Sequence, residues 1–295
     1  MSTICLRRRP QRRHQPGHSN RSIHPSGRSS VTFEVLKAHV HWAAGEFSLA
    51  TAVFHYLASA VTDRGRKRAS NEDAFGYSVE DGVYLVCDGM GGANAGEIAS
   101  SLAVDEVLHL LTGHRENGRP PMPDAAEEAV MAANTAIFAR AQRNQRLNGM
   151  GTTLVALAVQ DNHAWVLNIG DSRCYRLRQG CLEQITLDHS LVEEQVRMGR
   201  MSRAEALRSP LKNVITRALG TQGRVTPDVF GLDAEPGDLF LLCSDGLTRE
   251  LSDGEIAALL AEPRSLDEAC AALVEAANKA GGHDNITCLL VRAES

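Results

Sequence analysis

The stretch that decides the reading is Cys87-Asp88-Gly89-Met90-Gly91-Gly92. It follows an apolar run, Val83-Tyr84-Leu85-Val86-Cys87, which reads as a buried strand, and it precedes residues 93–111, which read as a helix. An acid at the end of a strand is held by a rigid element and opens into a loop. Glycines around it let the backbone approach a ligand closely. Alone, this is equally a tight strand-to-helix turn with Asp88 as a polar cap. The pattern returns, however. Leu239-Phe240-Leu241-Leu242-Cys243 is a second apolar run, and it ends in Ser244-Asp245-Gly246. Two strands that each deliver an Asp-Gly at the tip predict a shared acidic site.

Working outward, the chain has 295 residues, 43% of them hydrophobic and 23% charged, which is ordinary for a globular protein. The net charge of −5 argues against a broad nucleic-acid footprint. The basic residues are uneven: Arg7, Arg8, Arg9, Arg12, Arg13, Arg21 and Arg28 precede the first acid, Glu34. Residues 1–30 hold almost no apolar side chains and are expected to be disordered. Residues 31–49 show weak helical character only. Residues 1–52 are therefore read as a basic extension, and 53–295 as the folded domain. The uncharged run over 47–62 mimics a secretory signal, but its leader is too long, and His55 and Tyr56 interrupt it. It is also shorter than the about 20 apolar residues that span a bilayer. Residues 53–61 read instead as the first core strand. Of seven cysteines, five lie in apolar runs and none forms a C-x-x-C pair, which fits reduced thiols in a cytoplasm.

The helix after Asp88 carries Ala99, Ala103, Val107 and Leu110 at helical spacing, a face suited to a sheet. Asp124 with Glu127 reads as a capping box opening a second helix. Strands follow over 152–159, 164–169 and 173–177, turned by Asp161-Asn162 and Gln179-Gly180. Residues 191–199 look helical, and 201–213 read as an irregular, mobile part of a flap over 191–213. Ser252 with Glu255 and Ser265 with Glu268 are further capping boxes. Gly281-Gly282 stop the last helix, and 286–291 are the last strand. Strands hairpin locally and helices come in blocks. That is an α+β pattern with antiparallel sheet, and a layered sheet sandwich flanked by helices accommodates it.

Asp88, Asp245 and Asp284 each stand at a strand edge beside Gly or Asn. Acids so placed repel one another unless a cation or a proton intervenes. Mg²⁺ or Mn²⁺ suits carboxylates, a backbone carbonyl and water, and no Cys/His spacing suits zinc. Two such ions about 3.5–4 Å apart can activate a water for in-line attack on phosphorus. Arg68 has the shape to clamp phosphate oxygens in bidentate fashion, although a lone arginine is more readily a surface residue. Glu72-Asp73 would alone be a solvated turn.

The ordered set Thr62-Asp63-Arg64-Gly65, Arg68, Asn71-Glu72-Asp73, Asp88-Gly89-Met90-Gly91-Gly92, Gly151-Thr152-Thr153, Gly170-Asp171-Ser172-Arg173, Asp188-His189-Ser190, Ser244-Asp245-Gly246 and His283-Asp284-Asn285 resembles the metal-dependent serine/threonine protein phosphatases of the PPM (PP2C) family, in their compact bacterial form. The resemblance runs from about residue 53 to the C-terminus. It implies a central β-sandwich of two antiparallel sheets with helices on both outer faces. It implies that Asp88 bridges two Mn²⁺ or Mg²⁺ ions, that Gly89 offers its carbonyl to one, and that Asp245 and Asp284 complete the other site. Glu72 and Asp73 would hold metal-bound waters, Asn285 would support the site from behind, and Arg68 would bind the substrate phosphate. Asp171, with Asp245, matches a third-metal position. Many eukaryotic members carry His where Met90 stands. A thioether cannot donate a proton, so the resemblance leaves the general acid to another group, a metal-bound water being the expectation.

The function so implied is hydrolysis of phosphoserine and phosphothreonine on proteins by direct water attack, reversing a cognate serine/threonine kinase. The protein is expected to be a cytoplasmic monomer without membrane or nucleic-acid partners. A catalytically silent phosphoprotein-binding regulator is the main rival. Such proteins usually lose a metal-binding Asp, and Asp88, Asp245 and Asp284 are all present. A metal-dependent nuclease, suggested by the Arg-rich leader, is the other; that leader lies outside the catalytic part.

Overall fold

The computed structural model describes residues 3–5, 54–91, 95–112 and 122–295. Apart from 3–5, the predicted basic extension and its weak helix at 31–49 lie outside the described residues. In chain order the strands are β1 (Thr3–Cys5), β2 (His55–Asp63), β3 (Asp73–Ser78), β4 (Val83–Met90), β5 (Gly151–Thr152), β6 (Leu154–Gln160), β7 (His163–Ile169), β8 (Arg173–Arg178), β9 (Cys181–Gln184), β10 (Asp228–Asp233), β11 (Leu239–Cys243) and β12 (Ile286–Glu294). One sheet has the order β1-β9-β8-β11-β12-β2; the other has β10-β7-β6-β4-β3, with β5 pairing β4. The pairings are antiparallel, as expected.

Alternation along the central strands builds three apolar layers. In β4, Val83, Leu85 and Cys87 face the helices α1 (Ala95–Leu111) and α2 (Asp124–Arg143), while Tyr84 and Val86 face the second sheet. In β11, Leu239, Leu241 and Cys243 face outward, while Phe240 and Leu242 face inward. The outward set is covered by α6 (Asp253–Leu260) and α7 (Leu266–Ala280). These strands read as unbroken apolar runs because side chains alternate between the two faces and both faces are covered, one by helices and one by the other sheet. The layered α+β sandwich inferred from the sequence is the observed architecture.

Helix ends follow local chemistry. Ser252 and Ser265 form the two expected capping boxes with Glu255 and Glu268. The box expected at Asp124 does not form. Pro123 holds the cap position without a side-chain bond, and Asp124 lies inside the first turn, where its charge still suits the helix N-terminus. On α1, Leu110 is 38% exposed despite its expected place on the buried face, and Leu111 is buried instead. The helix turns 100° per residue, and Leu111 continues the Ala99, Val104, Val107 stripe.

Other expectations need correction. The first thirty residues are not uniformly without structure: Thr3–Cys5 adds an edge strand to β9. Strands β3 and β10 were not anticipated, since Asp, Gly and Ser interrupt their apolar positions, and the four-residue β9 was implied only by the turn at Gln179-Gly180. The strand expected over 152–159 breaks at Thr153, which leaves the ladder to bond Asp88. The flap is more regular than expected. It holds α3 (Leu191–Arg197) and α4 (Arg203–Arg208), and Ser202 and Glu205 close a capping box on α4. Cys87, Cys174, Cys243, Cys270 and Cys288 are free and buried, but Cys181 is disulfide-bonded, against the all-thiol reading.

Candidate metal centre

Three chain-distant segments bring acids to one end of the sandwich. In β4, Asp88 stands directly opposite Asp73 of β3 in the register. Asp245 opens the one-turn helix α5 (Asp245–Thr248) directly after β11. Asp284 precedes β12, the neighbour of β11. Strand geometry therefore decides the convergence: β3 and β4 belong to one sheet, β11 and β12 to the other, and the two meet face to face.

The acids repel one another. Burial first, and then Asp73, Asp245, Asp171 and Asp284, hold the Asp88 carboxyl well above the ordinary carboxylate range. Burial and then Asp171 do the same at Asp245. Asp73 is pushed up to about 6 by burial, although two hydrogen bonds to its charged form oppose the rise. These come from Ser244 Oγ and Thr287 Oγ1, each 2.7 Å from Asp73 Oδ2. Asp171, in the loop between β7 and β8, is pushed up to about 6 by burial and then by Asp188. Burial also raises Glu72.

The backbone around Asp88 is fixed on both sides. Its N–H donates to Thr153 Oγ1 at 2.9 Å, and its carbonyl accepts from Thr153 N–H and Thr152 Oγ1, each at 2.9 Å. Thr153 Oγ1 is also 2.7 Å from Ser172 Oγ, beside Asp171. Gly89 donates its N–H to the Glu72 carbonyl at 3.1 Å. A Cβ at Gly89 would fall on the Gly96 and Glu72 carbonyls, so only glycine lets β3, β4 and α1 meet here. Asn285 ties the Arg68 loop to the site. Its Oδ1 accepts from Glu72 N–H at 2.9 Å, and its Nδ2 donates to the Arg64 and Ser70 carbonyls at 3.0 and 2.9 Å.

Two guanidinium groups lie among the acids. Arg68 Nη2 is 2.8 Å from Asp284 Oδ2, with 48% of its side chain exposed. Arg249 Nη1 is 2.7 Å from the same oxygen, and Arg249 Nη2 pairs with Asp245 Oδ2. Sequence reasoning missed Arg249, because its position four residues after Asp245 matters only once α5 exists. Thr152, Thr153 and Ser244 were visible as motif residues, but their bonds to the acids were not.

The donor set fits hard divalent cations. Asp73 Oδ1 and Asp245 Oδ1 are buried without a hydrogen-bond partner, an arrangement that a cation or its water would satisfy. No three of the described His, Cys, Asp and Glu side chains are drawn together around one point. Arg68 and Arg249 offset part of the charge, at Asp284 and Asp245.

Residues 62–290 match the family profile described as Protein phosphatase 2C. The serine/threonine phosphatase Stp of Listeria monocytogenes is 40% identical over 243 residues, covering 79% of this chain and 94% of that protein. The crystal structure of the Mycobacterium tuberculosis serine/threonine phosphatase PstP superposes with a TM-score of 0.75 at 38% identity, covering 82% of this chain and 100% of that one. The PstP catalytic domain crystallised with two manganese ions gives a TM-score of 0.74 at 36% identity, with the same coverage. With residues 62–290 matching that profile and a relative 40% identical over 79% of its length, the chain belongs to the protein phosphatase 2C family.

Proposed function

We propose that the protein is a metal-dependent protein-serine/threonine phosphatase, hydrolysing phosphoserine and phosphothreonine esters on proteins. The observation that carries this is the convergence of Asp73, Asp88, Asp171, Asp245 and Asp284 from both sheets, with carboxylate oxygens left unpartnered beside an exposed guanidinium. Asp88, the Gly89 carbonyl, Asp245 and Asp284 would hold two Mn²⁺ or Mg²⁺ ions, and Asp171 with Asp245 a third. Bound there, such cations supply Lewis-acid activation of water and neutralise charge at phosphorus.

The chain's own groups do the rest. Arg68 stands at the mouth of the site and is free to turn from Asp284 to two phosphate oxygens. Glu72 and Asp73 offer acceptors that orient water, and Asn285 fixes the backbone of both the Glu72 and the Arg68 segments. Met90 offers no proton, so the leaving serine or threonine oxygen takes one from water. The presence of every acid disfavours the catalytically silent alternative. The counterpart of such an enzyme is a kinase acting on the same proteins. We place the phosphatase domain at residues 53–295, acting as a monomer in the cytoplasm, with β1 as an added edge. None of the described helices is long and apolar enough to cross a membrane.

The deciding experiment is phosphate release from a phosphothreonine peptide, with Mn²⁺ and with EDTA. Turnover is expected only with the cation. Equal turnover in EDTA, with metal content verified as nil, would refute the proposal.

A further inference from the structure

His189 belongs to none of the roles above, yet it sits at a junction. Its side chain is fully buried. Its ring Nδ1 is 3.1 Å from the Gly170 N–H, which can only donate. Nδ1 therefore carries the lone pair and Nε2 the proton. Nε2 is 3.1 Å from Asp228 Oδ2 in β10, which accepts that proton's hydrogen bond. The Arg217 guanidinium lies 3.3 Å from Nε2, but both are then donors, and it bonds Asp228 Oδ1 at 2.7 Å instead. One tautomer is thus fixed by an acceptor and a donor on opposite sides.

The His189 backbone makes two further contacts. Its N–H donates to the Gly170 carbonyl at 2.9 Å, and its carbonyl accepts from Thr216 N–H at 2.8 Å. The flap leaves from the very next residues and returns at Thr216. Leu191 N–H donates to the Val214 carbonyl at 2.8 Å, and Ser190 bridges Ile215. Gly170 adopts φ +103°, and a side chain there would strike Thr153. Thr153 in turn bonds Ser172 and Asp88. A continuous path therefore joins both feet of the flap, through His189 and Gly170, to the loop bearing Asp171 and to the strand bearing Asp88.

We infer that His189 is a positioning residue that sets the Asp171 loop against the feet of the flap, through the acceptor it offers to Gly170 N–H and the proton it gives Asp228. This rests on the phosphatase reading for its effect on turnover, but not for its effect on the loop. Side chains that hold a reacting group's partner in orientation are worth about 10–100-fold in activity.

The test separates acceptor from bulk. In His189→Asn the amide oxygen stands near the position of Nδ1 and still accepts from Gly170. In His189→Gln the amide reaches toward Asp228 and leaves Gly170 N–H unpaired. Two quantities are read: kcat and KM on an aryl phosphate at saturating Mn²⁺, and amide exchange of Gly170 in metal-free protein. The Gln variant is expected to lose about tenfold or more in kcat with little change in KM, and to lose Gly170 protection. The Asn variant is expected to recover most of both. Equal kcat and equal protection in the two variants would overturn the inference. An inactive wild-type protein would sink the phosphatase reading alone, since the exchange measurement still decides for His189. Should neither variant fold, Asp228→Asn probes the same ring from a site with 30% side-chain exposure. It is expected to lower kcat a few-fold in the same sense, and an unchanged kcat there would also count against His189.

Discussion

Replacing Asp171 by Asn removes a charge that the metal-free fold resists. Its carboxyl is raised from 3.8 to about 6, first by burial and then by Asp188. A fold that raises a carboxyl's pKa binds the proton more tightly than the unfolded chain does. Its stability is therefore greatest below 3.8 and falls as pH rises through about 6. Integrated for one site, the loss is about 3 kcal/mol at pH 7 and about 1.6 kcal/mol at pH 5. These are upper figures, because Asp171 is only half-buried and its ionised form keeps a backbone hydrogen bond. In EDTA, Asp171→Asn should melt above the wild type by up to roughly 6–12 °C at pH 7, and by about half that at pH 5. Added Mn²⁺ should close the gap, because a cation offsets the charge in the wild type. Turnover of the variant should nevertheless fall. Calorimetric melts at both pH values check this. A variant that melts at or below the wild type in EDTA at pH 7 would refute the claim that the acids destabilise the empty site.

Three further outcomes follow from the same geometry. Asp88→Asn should retain the fold and lose about 3–4 kcal/mol of transition-state stabilisation, a fall of roughly a hundred- to a thousandfold, mainly in kcat. Normal turnover by that variant, with two Mn²⁺ bound in a calorimetric titration, would move the centre of the site elsewhere. Arg68→Ala should raise KM more than Asp88→Asn does, since Arg68 would touch the ground-state phosphate as well as the transition state; steady-state kinetics on one phosphopeptide gives the comparison. Arg249→Gln removes a guanidinium seated on Asp245 and Asp284, so the metal-free protein should melt lower while Mn²⁺ binds about tenfold tighter. A titration showing unchanged affinity would mean that Arg249 does not compete with the cation.

The parts of the fold legible in the chain are those where one physical demand acts alone. Val83–Cys87 and Leu239–Cys243 are covered on both faces, so every position is apolar and the runs stand out. Ser252 and Ser265 cap helices through purely local bonds, and their spacing suffices. What escaped depends on neighbours far along the chain. β10 carries Asp228, Gly231 and Asp233 among its three apolar residues, shows no clean alternation, and pairs along its whole length with β7. Thr153 breaks its strand for the sake of Asp88, 65 residues away in sequence. The acids could be picked out by their place at strand ends, but Arg249 could not. Nor could the partners of Asp73, since Ser244 and Thr287 reach it from the opposite sheet.

The pairing of β2 with β12 has a consequence for the order in which the protein comes into being. Asp63 lies opposite Ile286, and His55 opposite Glu294. On the ribosome, β2 emerges early and has no neighbour in its sheet until β12 is made, because β12 is the strand it pairs with. At about 5–20 residues per second the wait is roughly ten to forty-five seconds, during which β2 presents an open edge. Asp284 arrives only then. A nascent chain complete through β11 and α5 still lacks Asp284 and the Asn285 brace, so the polypeptide gains its chemistry last, with its final strand.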